Sequence, residues 1–254
     1  MSAVAVHHLV EGPQSAPALV MINSLGSTLA MWEAQVEELA GPFRVVRFDL
    51  RGHGASPVPP GPYALSDLGA DVVALLDQLE IERAHVVGVS LGGMIAMWLG
   101  INAPRRVERL VLCCTSARLG PPESWADRAR LVRGQGTQAV ADAVVSRWLT
   151  PAYAARHPEL RARLRATIAA TPAEGYAGCC AAIEHMDLEP DLARITAPTL
   201  VIAGADDPST PPDHGARIAA GVPGARMAVV PDSAHLANIQ QAAEVSGLIL
   251  RHLQ

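Results

Sequence analysis

The chain has 254 residues, half of them hydrophobic and only 4% aromatic, with a formal net charge of −5. That length suits one large α/β domain or a domain with a sizeable insertion, its core built mostly from Ala, Val, Leu and Ile. All 20 basic residues are arginine, so a lysine Schiff base and a Walker-type nucleotide loop are excluded, and the negative balance argues against nucleic-acid binding.

The N-terminus lacks a basic region followed by an apolar run, so no signal peptide is expected and the protein reads as cytoplasmic. The first strand candidates are Val4–Val10, which carries His7 and His8, and Ala18–Asn23. A helix containing Trp32 and Leu39 should end at Gly41-Pro42, ahead of a strand at Phe43–Phe48. The tight turn Arg51-Gly52-His53-Gly54 is expected to bring His53 near the mouth of a site. Ser66 is placed to cap a helix with apolar positions Leu68, Val72, Leu75, Leu76 and Leu79.

The next strand, Ala84–Val89, runs into Gly88-Val89-Ser90-Leu91-Gly92 and a helix that stops at Asn102-Ala103-Pro104. A serine two residues from a glycine on each side, between a strand and a helix, has the form of a nucleophile elbow. The glycines are needed because side chains there would collide with the neighbouring strand or helix. The apolar stretch Val86–Ile101 is short for a membrane span and contains Gly88, Gly92 and Gly93, so strand-turn-helix explains it and no membrane is expected. Arg109–Cys114 is the next strand. The adjacent pairs Cys113-Cys114 and Cys179-Cys180 lack metal or redox spacing, and small buried thiols are expected.

From about residue 117 to 194 the strand pattern disappears. Helical stretches fall roughly at Glu123–Arg133, Thr137–Trp148, Pro158–Ala170 and Pro172–Glu184, punctuated by Pro and Gly. The expected organisation is an α/β core over 1–116 and 195–254, with an all-helical cap over 117–194. The cap span holds ten arginines against nine carboxylates, whereas the remainder holds ten against sixteen, a balance that favours an anionic substrate or simply solvated helix faces.

The strand Thr199–Ala203 with Gly204 leads into Ala205-Asp206-Asp207-Pro208, a helix at Asp213–Ala220, the strand Arg226–Val230 and then Pro231-Asp232-Ser233-Ala234-His235. Ile239–Leu253 should form one closing helix. A serine nucleophile needs a histidine base, and the base needs a carboxylate that fixes its tautomer. Ser90, then Asp206 or Asp207, then His235 supply these in order, on loops at carboxyl ends of strands, where open α/β sheets bind ligands. The oxyanion donors are expected to be the Leu91 amide, after the nucleophile, and the Leu25 amide in Asn23-Ser24-Leu25-Gly26. His85, His157, His185, His214 and His252 fit structural or surface places better.

These motifs resemble the α/β-hydrolase superfamily over essentially the whole chain. Asn23–Gly26, Arg51–Ser56 with Pro59–Tyr63, Gly92-Gly93-Met94, Arg147–Pro151 and Thr171–Tyr176 with Cys179–Ala182 resemble the 3-oxoadipate enol-lactonases. The resemblance implies a mostly parallel sheet with helices on both faces and an inserted helical cap. It favours Asp207 as the acid, the third residue after Gly204 and before a proline. Two departures stand out: Ala234 where many relatives have Gly, and Asn23-Ser24 where the superfamily often has His-Gly. The implied reaction is hydrolysis of a small anionic lactone, 3-oxoadipate enol-lactone, by Ser90, Asp207 and His235 without metal or organic cofactor. Arg133, Arg147 and Trp148 are candidates for holding the substrate, with solvated helix arginines and plain cap packing as the bland alternatives. A broad carboxylesterase, a cofactor-free perhydrolase and a non-hydrolytic receptor use the same core. A homo-oligomer and fusion to a decarboxylase stay open.

Overall fold

A computed structural model describes residues 2–254. Its seven strands are β1 (His8–Glu11), β2 (Ala18–Ile22), β3 (Arg44–Phe48), β4 (Ala84–Val89), β5 (Val107–Cys113), β6 (Thr199–Gly204) and β7 (Arg226–Val230). They form one sheet in the order β1-β3-β2-β4-β5-β6-β7, with β1 antiparallel to β3 and every other pairing parallel. β4 and β6 are buried at every position, as a strand covered on both faces must be, and this explains their largely apolar sequence, broken only by His85 and Thr199.

Helices α1 (Glu33–Leu39), α2 (Leu65–Gln78) and α3 (Leu91–Asn102) connect the first strands. Between β5 and β6 come α4 (Pro122–Gln135), α5 (Gln138–Trp148), α6 (Pro151–Arg156), α7 (Pro158–Ala170) and α8 (Ala173–Glu184). α9 (Pro212–Gly221) links β6 to β7, and α10 (Ala237–Gln240) and α11 (Ala242–Leu253) close the chain. The helical segment is tied to the core through Gly61 N donating to Glu174 Oε1 (2.7 Å) and Leu236 N donating to Trp148 O (2.9 Å). Among the described residues no helix is long and apolar enough to cross a membrane.

Several elements depart from the sequence pattern. The first strand is shorter and later than Val4–Val10, because Val4 N is held by Asp71 Oδ1 (2.8 Å) on α2 instead of pairing in the sheet. Ser66 lies inside the first turn of α2, and Asp67 Oδ2 accepts from Ala64 N (2.8 Å) at the helix start. α6 is a further helix, begun by Thr150, whose hydroxyl accepts from Tyr153 N (3.4 Å). The closing helix is broken at Gln241 (φ −124°, ψ 53°), and the break turns Gln240 toward the loop that carries His235.

The register lines up the carboxyl ends of the strands. Ile22 lies beside Gly88, Val89 beside Cys113, Cys113 beside Ile202 and Gly204 beside Val230. The loops after β2, β4, β6 and β7 therefore leave the sheet on one edge.

Candidate active site

Ser90 is the single residue between β4 and α3, with φ 57° and ψ −117°. A serine held there stores about 1–3 kcal/mol, so its neighbours must hold it. Its N–H donates to Cys113 O (3.0 Å) and its carbonyl accepts from Thr115 Oγ1 (2.7 Å). The flanking glycines are sterically required: a Cβ on Gly88 would strike the carbonyl of Gly92, and one on Gly92 the carbonyl of Ile22. Leu91 opens α3, so its amide has no acceptor one turn back and stands at the positive end of the helix.

Asp207 and His235 come from the loops after β6 and β7. His235 Nδ1 lies 2.8 Å from Asp207 Oδ2, and both residues are buried. The same carboxylate accepts from Thr210 Oγ1 (2.7 Å) and from the amides of Ser209 (2.8 Å) and Thr210 (3.1 Å). Burial alone would raise the Asp207 carboxyl. The adjacent His235 and the Thr210 hydrogen bonds outweigh it and hold the group below the usual carboxylate range. With a carboxylate at Nδ1, the imidazole keeps its proton there and presents a bare Nε2. Asp206 is exposed, outside this pair.

The His235 loop is braced from two sides. Gln240 Oε1 accepts from Ala234 N (2.9 Å) and Thr150 N (3.1 Å), and Leu236 N donates to Trp148 O (2.9 Å). These contacts join the loop to the start of α6 and the end of α5.

Ser90, His235, Ser24 and Leu25 line a cavity of about 180 Å³. Its other walls include Trp125 and Arg128 from α4, Val144, Arg147 and Trp148 from α5, and Tyr176 and Ile183 from α8. The volume lies below the roughly 300–1,000 Å³ of pockets for drug-sized ligands, so the site suits a small substrate. Of the nine histidines, His235 is the one that lines it. No hydrogen bond joins Ser90 Oγ to His235 among the described residues; such contacts commonly tighten only when substrate binds.

The structure thus brings Ser90, His235, Leu25, Arg147 and Trp148 to one cavity, with Asp207 behind His235 and Leu91 beside Ser90. Arg133 is a correction. Its Nε donates to Glu174 Oε2 (2.9 Å) and it does not line the cavity. Arg128 lines it instead, with its guanidinium carbon 4.5 Å from the centroid of the Trp125 ring and beside the Tyr176 hydroxyl. The signal was present: Trp125 and Arg128 are three apart and share a helix face, whereas Arg133 sits about 140° further round. His53 is a second correction. It is fully buried rather than at the mouth, because its ring packs beneath the loop after β2. Gln240 and Thr210 carried no motif, and each is identified only by what it touches.

A model of the alpha/beta hydrolase fold matches residues 17–242. The 3-oxoadipate enol-lactonase 2 of Acinetobacter baylyi is 40% identical over 238 residues, covering 94% of this chain and 89% of that protein. The crystal structure of an enol-lactonase from Burkholderia xenovorans superposes with a TM-score of 0.96 at 41% identity, covering 98% of this chain and 96% of that one. A thermophilic esterase from Thermogutta terrifontis, studied with malate bound, has a TM-score of 0.92 at 29% identity, covering 98% of this chain and 92% of the other.

Proposed function

The chain belongs to the alpha/beta hydrolase fold family, and from that premise we propose that it is an enol-lactonase that opens 3-oxoadipate enol-lactone to 3-oxoadipate through an acyl-enzyme on Ser90. The observation that carries this reading is the 2.8 Å pair of His235 Nδ1 and Asp207 Oδ2 behind a cavity shared with Ser90. Likeness to enol-lactonases supports the substrate.

His235 Nε2 takes the Ser90 proton as Oγ attacks the lactone carbonyl, and Asp207 stabilises the imidazolium that results. The amides of Leu25 and Leu91 receive the oxyanion. Collapse breaks the ring C–O bond and expels an enolate, which accepts a proton from His235 and becomes the ketone. An enolate leaves far more readily than an alkoxide, so the burden falls on oxyanion stabilisation. His235 then takes a proton from water, the hydroxide attacks the ester, and collapse returns that proton to Ser90. The substrate keeps a free carboxylate throughout, and Arg128 and Arg147 are the cationic groups on the cavity wall to meet it.

The test is a spectrophotometric comparison of freshly generated enol-lactone with simple aryl esters. The expected result is a kcat/KM at least about tenfold higher for the lactone, the margin that one charged contact supplies. Preference for aryl esters would overturn the lactonase reading and leave a carboxylesterase.

A further inference from the structure

We infer that His53 is a positioning residue that holds the loop after β2 so that the Leu25 amide points into the cavity. This rests on the reading of Leu25 as an oxyanion donor. His53 does not line the cavity and touches no reacting atom, so it acts only through the loop.

Both ring nitrogens are spoken for, and their partners fix the protonation state. Nδ1 lies 3.2 Å from Arg51 O, which can only accept. Nε2 lies 3.0 Å from Gly26 N, which can only donate. The neutral imidazole with its proton on Nδ1 is the one form that meets both demands. Complete burial agrees, pushing the ring's pKa down to about 4.

The turn behind the ring is rigid. Its amides are bonded within it, His53 N to Leu50 O (2.9 Å) and Gly52 N to Pro57 O (2.8 Å). Asp49 Oδ2 accepts from Ala55 N (3.0 Å), while Asp49 Oδ1 reaches across to Leu29 N (2.8 Å). A fixed imidazole therefore presents its Nε2 lone pair to the loop.

Two consecutive peptides of the loop are anchored, the first by Ser27 and the second by His53. The Ser24 carbonyl accepts from Ser27 Oγ (2.8 Å) and Ser27 N (3.2 Å). In a trans peptide the C=O and N–H point in opposite directions, so drawing Ser24 O toward Ser27 aims Leu25 N–H the other way. The following peptide is then held at Gly26 N by His53. Leu25 N–H has no acceptor among the described residues, as a donor reserved for a ligand should not. Without His53, Gly26 N–H would lose its buried acceptor, and the loop would turn to recover one.

The test compares His53→Gln and His53→Leu with the wild type. Glutamine keeps an acceptor near the Nε2 position, and leucine fills the volume without one. The expected result for His53→Leu is a kcat lower by roughly 10–100-fold with KM within about threefold, because an oxyanion donor acts in the transition state. His53→Gln should recover most of the loss. Amide hydrogen exchange supplies a readout independent of turnover: Gly26 should exchange at least about tenfold faster in His53→Leu and stay protected in His53→Gln. Ser27→Ala, a milder change that loosens the neighbouring peptide, should lower kcat by about threefold or more with KM unchanged. Unchanged kcat in His53→Leu, or equal losses in the Leu and Gln variants with Gly26 protection intact, would overturn the inference. If enol-lactone proves a poor substrate, the same variants are assayed on an aryl ester, since both carbonyls need the same donor. A failed substrate assignment then leaves the His53 result readable.

Discussion

His235 and Arg147 line the same cavity, one from a loop of the sheet and the other from α5. His235 is clamped: Asp207 holds its ring, Gln240 and Trp148 hold the backbone on either side of it, and the residue is buried. The Arg147 guanidinium has no hydrogen bond or ion pair among the described residues, and the side chain is exposed. Under the proposed function the difference follows from the tasks. Proton transfer and attack at a carbonyl tolerate little misplacement, so the groups that do them are overdetermined by their surroundings. Attraction between a guanidinium and a carboxylate falls off slowly with distance and survives some play.

Breaking the clamped side should therefore give the largest effects. Ser90→Ala is expected to remove hydrolysis, roughly 10⁴–10⁶-fold in kcat, while ligand binding by calorimetry persists. Retained turnover would sink both the elbow assignment and the contrast drawn from it. Asp207→Asn should cost about 10⁴-fold in kcat, because an amide no longer favours the proton on Nδ1 of His235. Asp206→Asn, one residue away but exposed, should stay within about twofold, as a surface charge does.

Acidity probes the clamped side through stability. His53 has a folded pKa of about 4 against an ordinary 6.5, with burial as the main cause and the Asp49 carboxylate pulling the other way. Between those values the unfolded chain holds a proton that the folded one does not. Unfolding therefore takes up a proton, and the part of the stability linked to His53 falls as the pH drops from about 6.5 to 4 and levels off below, by on the order of 3 kcal/mol. Denaturant midpoints measured across that window should fall less steeply for His53→Gln than for the wild type. His85, His214 and His252, also lowered first by burial, add to the slope in both proteins. Asp207 acts at lower pH: its depressed pKa contributes stability above the ordinary carboxylate range that is lost as the pH falls through its folded value.

The clamped side was also the more legible in sequence. Ser90 and His235 follow strand ends, which are announced by apolar runs stopping at Gly or Pro, while the strand end at Gly204 leaves Asp206 and Asp207 open and the family resemblance favours Asp207. The alternation of strands and helices gave the parallel sheet for the same reason. What escaped was anything decided by packing across the chain. Gln240 reaches Thr150 over 90 positions, and no local pattern encodes that hydrogen bond. The break at Gln241 interrupts an apolar periodicity that reads as continuous through Leu253. The tight turn places His53 near the mouth of the site in sequence, yet the residue is fully buried, with its ring bonded to the loop after β2. The spacing puts Arg128 on the helix face of Trp125 and Arg133 off it, but only the way α4 packs decides that this face meets the cavity.

Those arginines give the smallest effects and sharpen the loose side of the comparison. Arg128 stacks on Trp125 and is the one of the two cavity cations with a partner, so Arg128→Gln should raise KM for an anionic lactone by about tenfold or more with little change in kcat. A neutral aryl ester should not register the substitution. Arg147→Gln should act in the same direction but less, since the side chain has no partner to fix it before the substrate arrives. Arg133→Gln should leave KM within about twofold. Its bond to Glu174 is half-exposed, which limits the loss of stability to about 1 kcal/mol or less in a thermal melt. If Arg133→Gln raised KM as much as Arg128→Gln, the carboxylate would be read by the overall charge of the helical segment, and recognition on that wall would be looser still than the Arg128 geometry implies.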